Sequence, residues 1–226
     1  KAGALIIGIA SLYLLFITPE TGPGFFPVPF DSISELMFLA EMVIAAFLVY
    51  LGIKYKKYLA IFLVVAQAAL LVYYESLAGS GTHTVPNLFI DQFSLILALI
   101  IGIIGSLICV YALGYMATYQ EHHPEVRDRR RTFFFLMFFF LSSMFGLVFS
   151  DFLPWVFFFW ELTTLCSFLL IGYSGTGEAV NNAFLALNMN LLGGIAFVGA
   201  LLYLAFVSPG GELLNISTLI HSGHMV

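Results

Sequence analysis

Glu161 stands at the middle of the apolar run DFLPWVFFFWELTTLCSFLLIG, Asp151 to Gly172. If that run crosses a bilayer, the carboxyl lies about 15 Å from water on either side. Ionising an acid there costs at least about 2.5 kcal/mol, so such a group faces a protein interior or a wet cavity and belongs to an ion or proton path. Glu41 repeats the pattern near the centre of SISELMFLAEMVIAAFLVYLGI, with Glu35 six residues earlier and nearer the outer end. Two membrane carboxylates form a proton relay if burial keeps their proton affinities near ambient pH and water or side chains bridge them. The plainer alternative is a protonated Glu hydrogen-bonded to a neighbouring helix as glue. The sequence leaves open whether the two acids face each other. Asp91 opens the fourth apolar run and Asp151 the sixth, where a carboxylate caps backbone N–H groups and meets the positive end of the helix dipole. Gln67, alone in the third run, reads as interhelical packing.

These acids need elements that can hold them in a membrane. The chain has 226 residues, 61% hydrophobic and 9% charged, against about 25% charged in soluble domains, and a mean hydropathy of +1.02. The class is therefore all-α, a polytopic transmembrane helical bundle, and the expected location is the cell's inner (cytoplasmic) membrane. Apolar runs at about 2 to 17, 33 to 53, 58 to 74, 90 to 119, 132 to 150, 152 to 172 and 182 to 207 predict about seven membrane helices. The first is short, and a start on Lys1 reads as a trimmed piece. Thr18 to Pro29, Gly79 to Pro86 and Ser208 to Gly211 carry loop chemistry, and no internal repeat is visible.

A net charge of -5 and the absence of a phosphate loop, CxxC or HExxH argue against nucleic acid and soluble cofactor chemistry, so no cofactor is expected. Cys109 and Cys166 fall in separate apolar runs and read as core packing. His221 and His224 are three apart, a spacing that suits metal on a helix, but no third or fourth ligand accompanies them. No metal site is expected, and His83, His122 and His123 read as loop histidines. The phenylalanine clusters 133–135, 138–140 and 157–159 read as lipid-facing or interhelical bulk.

All cations lie at Lys1, Lys54, Lys56, Lys57, Arg127, Arg129, Arg130 and Arg131. Seven alternating crossings put every one on the same side, so the positive-inside rule places the amino end inside. The basic loops also offer lipid head groups or an acidic partner surface a place to bind, although setting topology is their simpler role.

In the seventh run Asn182, Ala186, Asn190 and Gly193 recur at helical spacing and predict a small, amide-bearing stripe for close helix packing, with waters along a proton path as the alternative. The stretches FFWELTTLCSFLLIGY (Phe158 to Tyr173), NLFIDQFSLILALIIGIIGSLICVYALGYM (Asn87 to Met116) and NAFLALNMNLLGGIAF (Asn182 to Phe197) resemble the antiporter-like subunits of respiratory complex I, membrane-bound hydrogenases and Mrp cation/proton antiporters. The large L-type or A-type subunit is the nearest match, over about residues 33 to 220. The resemblance implies a proton-conducting half-channel of discontinuous helices in which Glu161 exchanges a proton with a lysine on a later helix. No lysine follows Lys57, so the expectation is the amino-terminal part of a longer subunit. Residues 1–32 then read as an extra membrane helix and outer loop, and 33–226 as the first part of the antiporter-like membrane domain. Glu41 has no counterpart in the motif and rests on physics alone, as a second-rank proton-path residue. Leu192 to Gly194 resembles hydrogenase and Mrp members.

The function expected from the resemblance is proton conduction, or Na+ conduction, in a redox-driven complex related to complex I and energy-converting hydrogenase. Other membrane and peripheral subunits would be the partners. A stand-alone Mrp-like antiporter and a structural membrane anchor are the alternatives.

Overall fold

The computed structural model describes residues 2–17, 24–27, 31–78, 87–124, 126–208 and 212–223. Its elements are α1 (Ala2–Ile17), β1 (Gly24–Pro27), α2 (Asp31–Lys54), α3 (Tyr58–Ala78), β2 (Asn87–Ile90), α4 (Gln92–His122), α5 (Arg130–Phe149), α6 (Leu153–Ile171) and α7 (Gly177–Val207). A single 3-10 turn, Glu212–Leu214, and α8 (Ile216–Gly223) follow. Helices α2 to α7 are each long and apolar enough to cross a membrane. The 19 residues of α6 span about 29 Å, close to the thickness of a hydrocarbon core, whereas the 16 residues of α1 reach about 24 Å. The first expected crossing is thus a helix, but shorter than the other six. The expected boundaries agree with the observed ones to within a few residues. The β1–β2 ribbon and α8 were not anticipated.

The bundle is a four-helix group extended by a row. Helices α2, α3, α6 and α7 enclose two apolar clusters, one around Leu63, Phe158, Phe184 and Leu187 and the other around Leu71, Phe157, Val198 and Leu201. Helix α5 packs on α6, α4 on α5, and α1 on α4. Small residues bring α1 and α4 together: a Cβ added at Gly102 would overlap the Ser11 hydroxyl, so the backbones approach as closely as glycine permits.

Inward faces follow helical spacing. On α3 the buried positions are Ala60, Leu63, Val64, Gln67, Leu71 and Tyr74, and on α7 they are Ala183, Phe184, Leu187, Leu191, Gly194, Val198 and Leu201, three or four residues apart. This corrects the stripe expected on α7. Asn182 and Gly193 are exposed, and Ala186 and Asn190 are half-buried, because the packed face runs one residue further along, about 100° round the helix. Lipid and helix interior are equally apolar, so hydropathy cannot distinguish the two faces.

The two ends of the bundle differ. Lys57 Nζ donates to Asn181 Oδ1 at 2.7 Å, and Arg129 Nη2 donates to the Tyr173 carbonyl at 2.6 Å. The α2–α3, α4–α5 and α6–α7 connections therefore share one end, which carries all the described cations. The opposite end holds the antiparallel β1–β2 ribbon, with Leu88 bridged to Ser150 and Phe152 to Asn215.

Asp91 caps α4 as expected, its carboxylate accepting from Ser94 N at 2.7 Å while Ser94 Oγ accepts from Asp91 N. Asp151 caps a different helix from the one expected. The residue preceding α6 is Phe152, without a side-chain cap, whereas Asp151 accepts from Ser217 N at 2.9 Å and Ser217 Oγ at 2.7 Å, and its carbonyl accepts from Ile216 N. A buried carboxylate thus holds the first turn of α8, satisfying donors the helix cannot satisfy itself. Cys109 and Cys166 are free and buried, as core packing requires. The Gly79 to Pro86 loop, His83 and His224 lie outside the described residues, as does the side chain of His221.

Candidate functional site

Glu161 sits midway along α6, whose start is set by Pro154 in the first turn. One turn of contact registers α6 against α2: the Trp155 indole donates to Ser34 Oγ at 3.0 Å. Glu41 lies two turns beyond Ser34 and Glu161 nearly two beyond Trp155, so the bond puts the two acids at a common depth. Both are buried, with 8% and 5% of their surface exposed, and Gln67 of α3 is buried with them at 7%.

The three side chains line one cavity of about 20 Å³, room for about one water molecule. Met42, Leu48, Val64, Phe157 and Leu191 close it with apolar groups. The sequence raised the pairing of Glu41 and Glu161 without deciding it, and the fold brings them together. Glu35 does not join them: it is exposed on α2.

Gln67 is the residue that sequence reasoning undervalued. Its amide lines the same cavity as the Glu161 carboxyl, and it sits there because it shares the inward face of α3 with Val64 and Leu71. The signal in the sequence was a lone amide inside an apolar run, a polar group that a membrane helix turns toward protein or water. Helix α7 makes the space. A Cβ at Gly194 would overlap Gln67 Oε1 and lie 3.3 Å from Glu161 Oε1. Both oxygens are buried without a hydrogen-bond partner, an arrangement that costs about 1–3 kcal/mol per atom unless a donor enters.

Outside the membrane segments, Asp128 pairs with Arg130 at 2.8 Å. Hydrogen bonds from Arg130 hold the Asp128 carboxyl below its ordinary range and raise the arginine in turn. Arg129 lies over the Tyr173 ring, 5.7 Å from its centroid.

Residues 79–135 match the family described as NADH-Ubiquinone oxidoreductase (complex I), chain 5 N-terminus. The chain is also similar to Na(+)/H(+) antiporter subunit A1 of Staphylococcus haemolyticus, 30% identical over 135 residues that make up 59% of this chain and 15% of the relative. The corresponding subunit of Staphylococcus aureus strain Newman is 31% identical over 120 residues, 53% of this chain and 14% of the relative. Over these stretches the chain is similar to antiporter-like membrane subunits, and it spans only about 15% of the length of the relatives it matches. With six membrane-length helices among the described residues and bacterial relatives of this kind, it is a multi-pass protein of the cytoplasmic membrane. The family match ends within α5, before Glu161, and begins after Glu41 and Gln67, so the site is described by its own geometry.

Proposed function

We propose that this chain is an antiporter-like subunit that conducts protons through the membrane by way of Glu161, with Glu41 as the second proton-carrying group, inside an assembly of further membrane and peripheral subunits. The observation that carries this reading is the shared cavity. Two membrane-depth carboxylates converge on a space the size of one water, the minimum connection a proton needs to pass between them. The relatives named as Na(+)/H(+) antiporter subunits favour exchange of protons against a cation. The complex I family match favours a second reading, in which electron transfer in partner subunits drives the flux. A lysine elsewhere in such an assembly would complete the exchange that the resemblance implies for Glu161. Residues 1–32 would then be an addition to an antiporter-like domain beginning near residue 33.

The test is proton flux in inverted membrane vesicles carrying the whole assembled complex, native against Glu161→Gln at matched assembly. Sodium addition and an electron donor serve as separate drives. Flux in the variant should fall by about 10²-fold, the scale of a lost proton-transfer group. The drive that works in the native complex distinguishes cation exchange from redox coupling. Unchanged flux would leave Glu161 as helix glue and the subunit as an anchor.

A further inference from the structure

The oxygen atoms over Gly194 raise a question that the pairing of Glu41 and Glu161 does not answer. Gln67 Oε1 and Glu161 Oε1 are both acceptors, both buried and both without a partner, yet they converge on the volume that a side chain at position 194 would fill. The NH2 group is the part of the Gln67 amide able to donate to a Glu161 carboxylate, since its carbonyl oxygen only accepts. Two acceptors side by side in an apolar shell require a donor. The candidates are a proton on Glu161 itself and a water in the adjoining cavity.

We propose that Gln67 is the positioning residue for the Glu161 proton and that Gly194 exists as glycine to give the amide its place, forming a socket that holds Glu161 in both protonation states. This deepens the proton-conduction reading and rests on it. An amide is suited to the task because it carries a donor and an acceptor on one rigid plane. Its NH2 group holds the carboxylate, and its oxygen accepts from the carboxylic acid or from a bridging water. Glu161 then gains and loses a proton without swinging toward lipid. During transfer, Glu41 gives its proton to a cavity water as that water gives one of its own to Glu161 Oε1. One O–H bond breaks for each that forms, water is regenerated, and the negative charge moves from Glu161 to Glu41.

The groups facing Glu161 from each packed helix are few. Helix α2 presents Glu41, α3 presents Gln67, and α7 presents Leu191 and Gly194. Helix α5 meets α6 through apolar packing such as Phe159 against Gly146. Glu75 is the carboxyl of α3, about two turns beyond Gln67.

The assembled complex in membranes provides the test, through the infrared band of the protonated Glu161 carboxyl, assigned by its loss in Glu161→Gln and followed against pH. Gln67→Met keeps volume and removes both amide functions, while Gly194→Ala displaces the amide without removing it. Both should move the titration midpoint by about 1 pH unit or more, the tenfold change expected when a hydrogen bond to a charged group is lost. The pH profile of proton flux should move with it. Combining Gly194→Ala with Gln67→Ala should restore thermal stability by clearing the overlap, yet leave flux low. A native midpoint and native pH profile in Gln67→Met, or in Gly194→Ala should the first variant not assemble, overturns the socket. Intact flux in Glu161→Gln overturns the conduction reading instead, so the two failures are distinguishable.

Discussion

At Glu161 the decisive physics is desolvation, which leaves a buried carboxyl oxygen in need of a donor. A carboxyl 5% exposed at the middle of an apolar helix shares a small cavity with Gln67 and Glu41, and under the proposed function these same neighbours would carry its proton. Glu41→Gln keeps the hydrogen-bonding shape but cannot exchange a proton with its neighbour. Proton flux in vesicles should fall, though less steeply than in Glu161→Gln; native flux would remove Glu41 from the path. At the loop, Asp128 behaves differently because it is solvent-exposed. Its carboxyl is held low by hydrogen bonds from Arg130, so whatever the pair contributes is fully present above the ordinary carboxylate range near 3.9 and is lost only as pH falls through the lowered folded value. Asp128→Asn should therefore show a small stability difference from native that stays constant from pH 8 to pH 5, as expected for an exposed pair. A difference that shrinks within that window would contradict the assignment.

The elements are joined by a few specific devices. Helix α8 owes its first turn to Asp151, whose carboxylate accepts from Ser217 N and Ser217 Oγ. Asp151→Ala should cost about 0.5–2 kcal/mol, the usual worth of an N-cap, and should speed amide hydrogen exchange in α8 while leaving α2 to α7 as they are. Uniform acceleration across the molecule would mean that Asp151 supports the whole bundle. Between α1 and α4, Gly102 gives Ser11 its space. Gly102→Ala should destabilise by about 1–3 kcal/mol, the range for overpacking a fitted interface. Limited proteolysis should then release α1 first, and native resistance would show that the contact yields without strain.

Over the whole molecule, the arrangement of ends is the feature that connects structure to membrane orientation. The cationic connections cluster at one end through the Lys57–Asn181 and Arg129–Tyr173 contacts, and the positive-inside rule assigns that end to the cytoplasm. A membrane-impermeant maleimide should label His122→Cys from the cytoplasmic face and Phe25→Cys, on β1, from the opposite face, in a background lacking Cys109 and Cys166. The reverse pattern would invert the topology and with it the direction of proton entry.

Composition and run length determined the membrane class, the helix order and most boundaries, because crossing a hydrocarbon core imposes a minimum length of apolar chain whatever lies beside it. The positions of eight cations likewise determined which connections share a side. Tertiary structure alone decided which face of each helix turns inward, since lipid and protein interior present the same hydropathy and leave no periodic contrast to read. That is why Asn182 and Gly193 were expected in the packing and lie outside it, while Gln67 and Gly194 meet at Glu161. It is also why Asp151, at the threshold of α6, caps a helix 66 residues further along the chain: a carboxylate's local sequence shows that donors are needed nearby, and only the fold determines whose donors arrive.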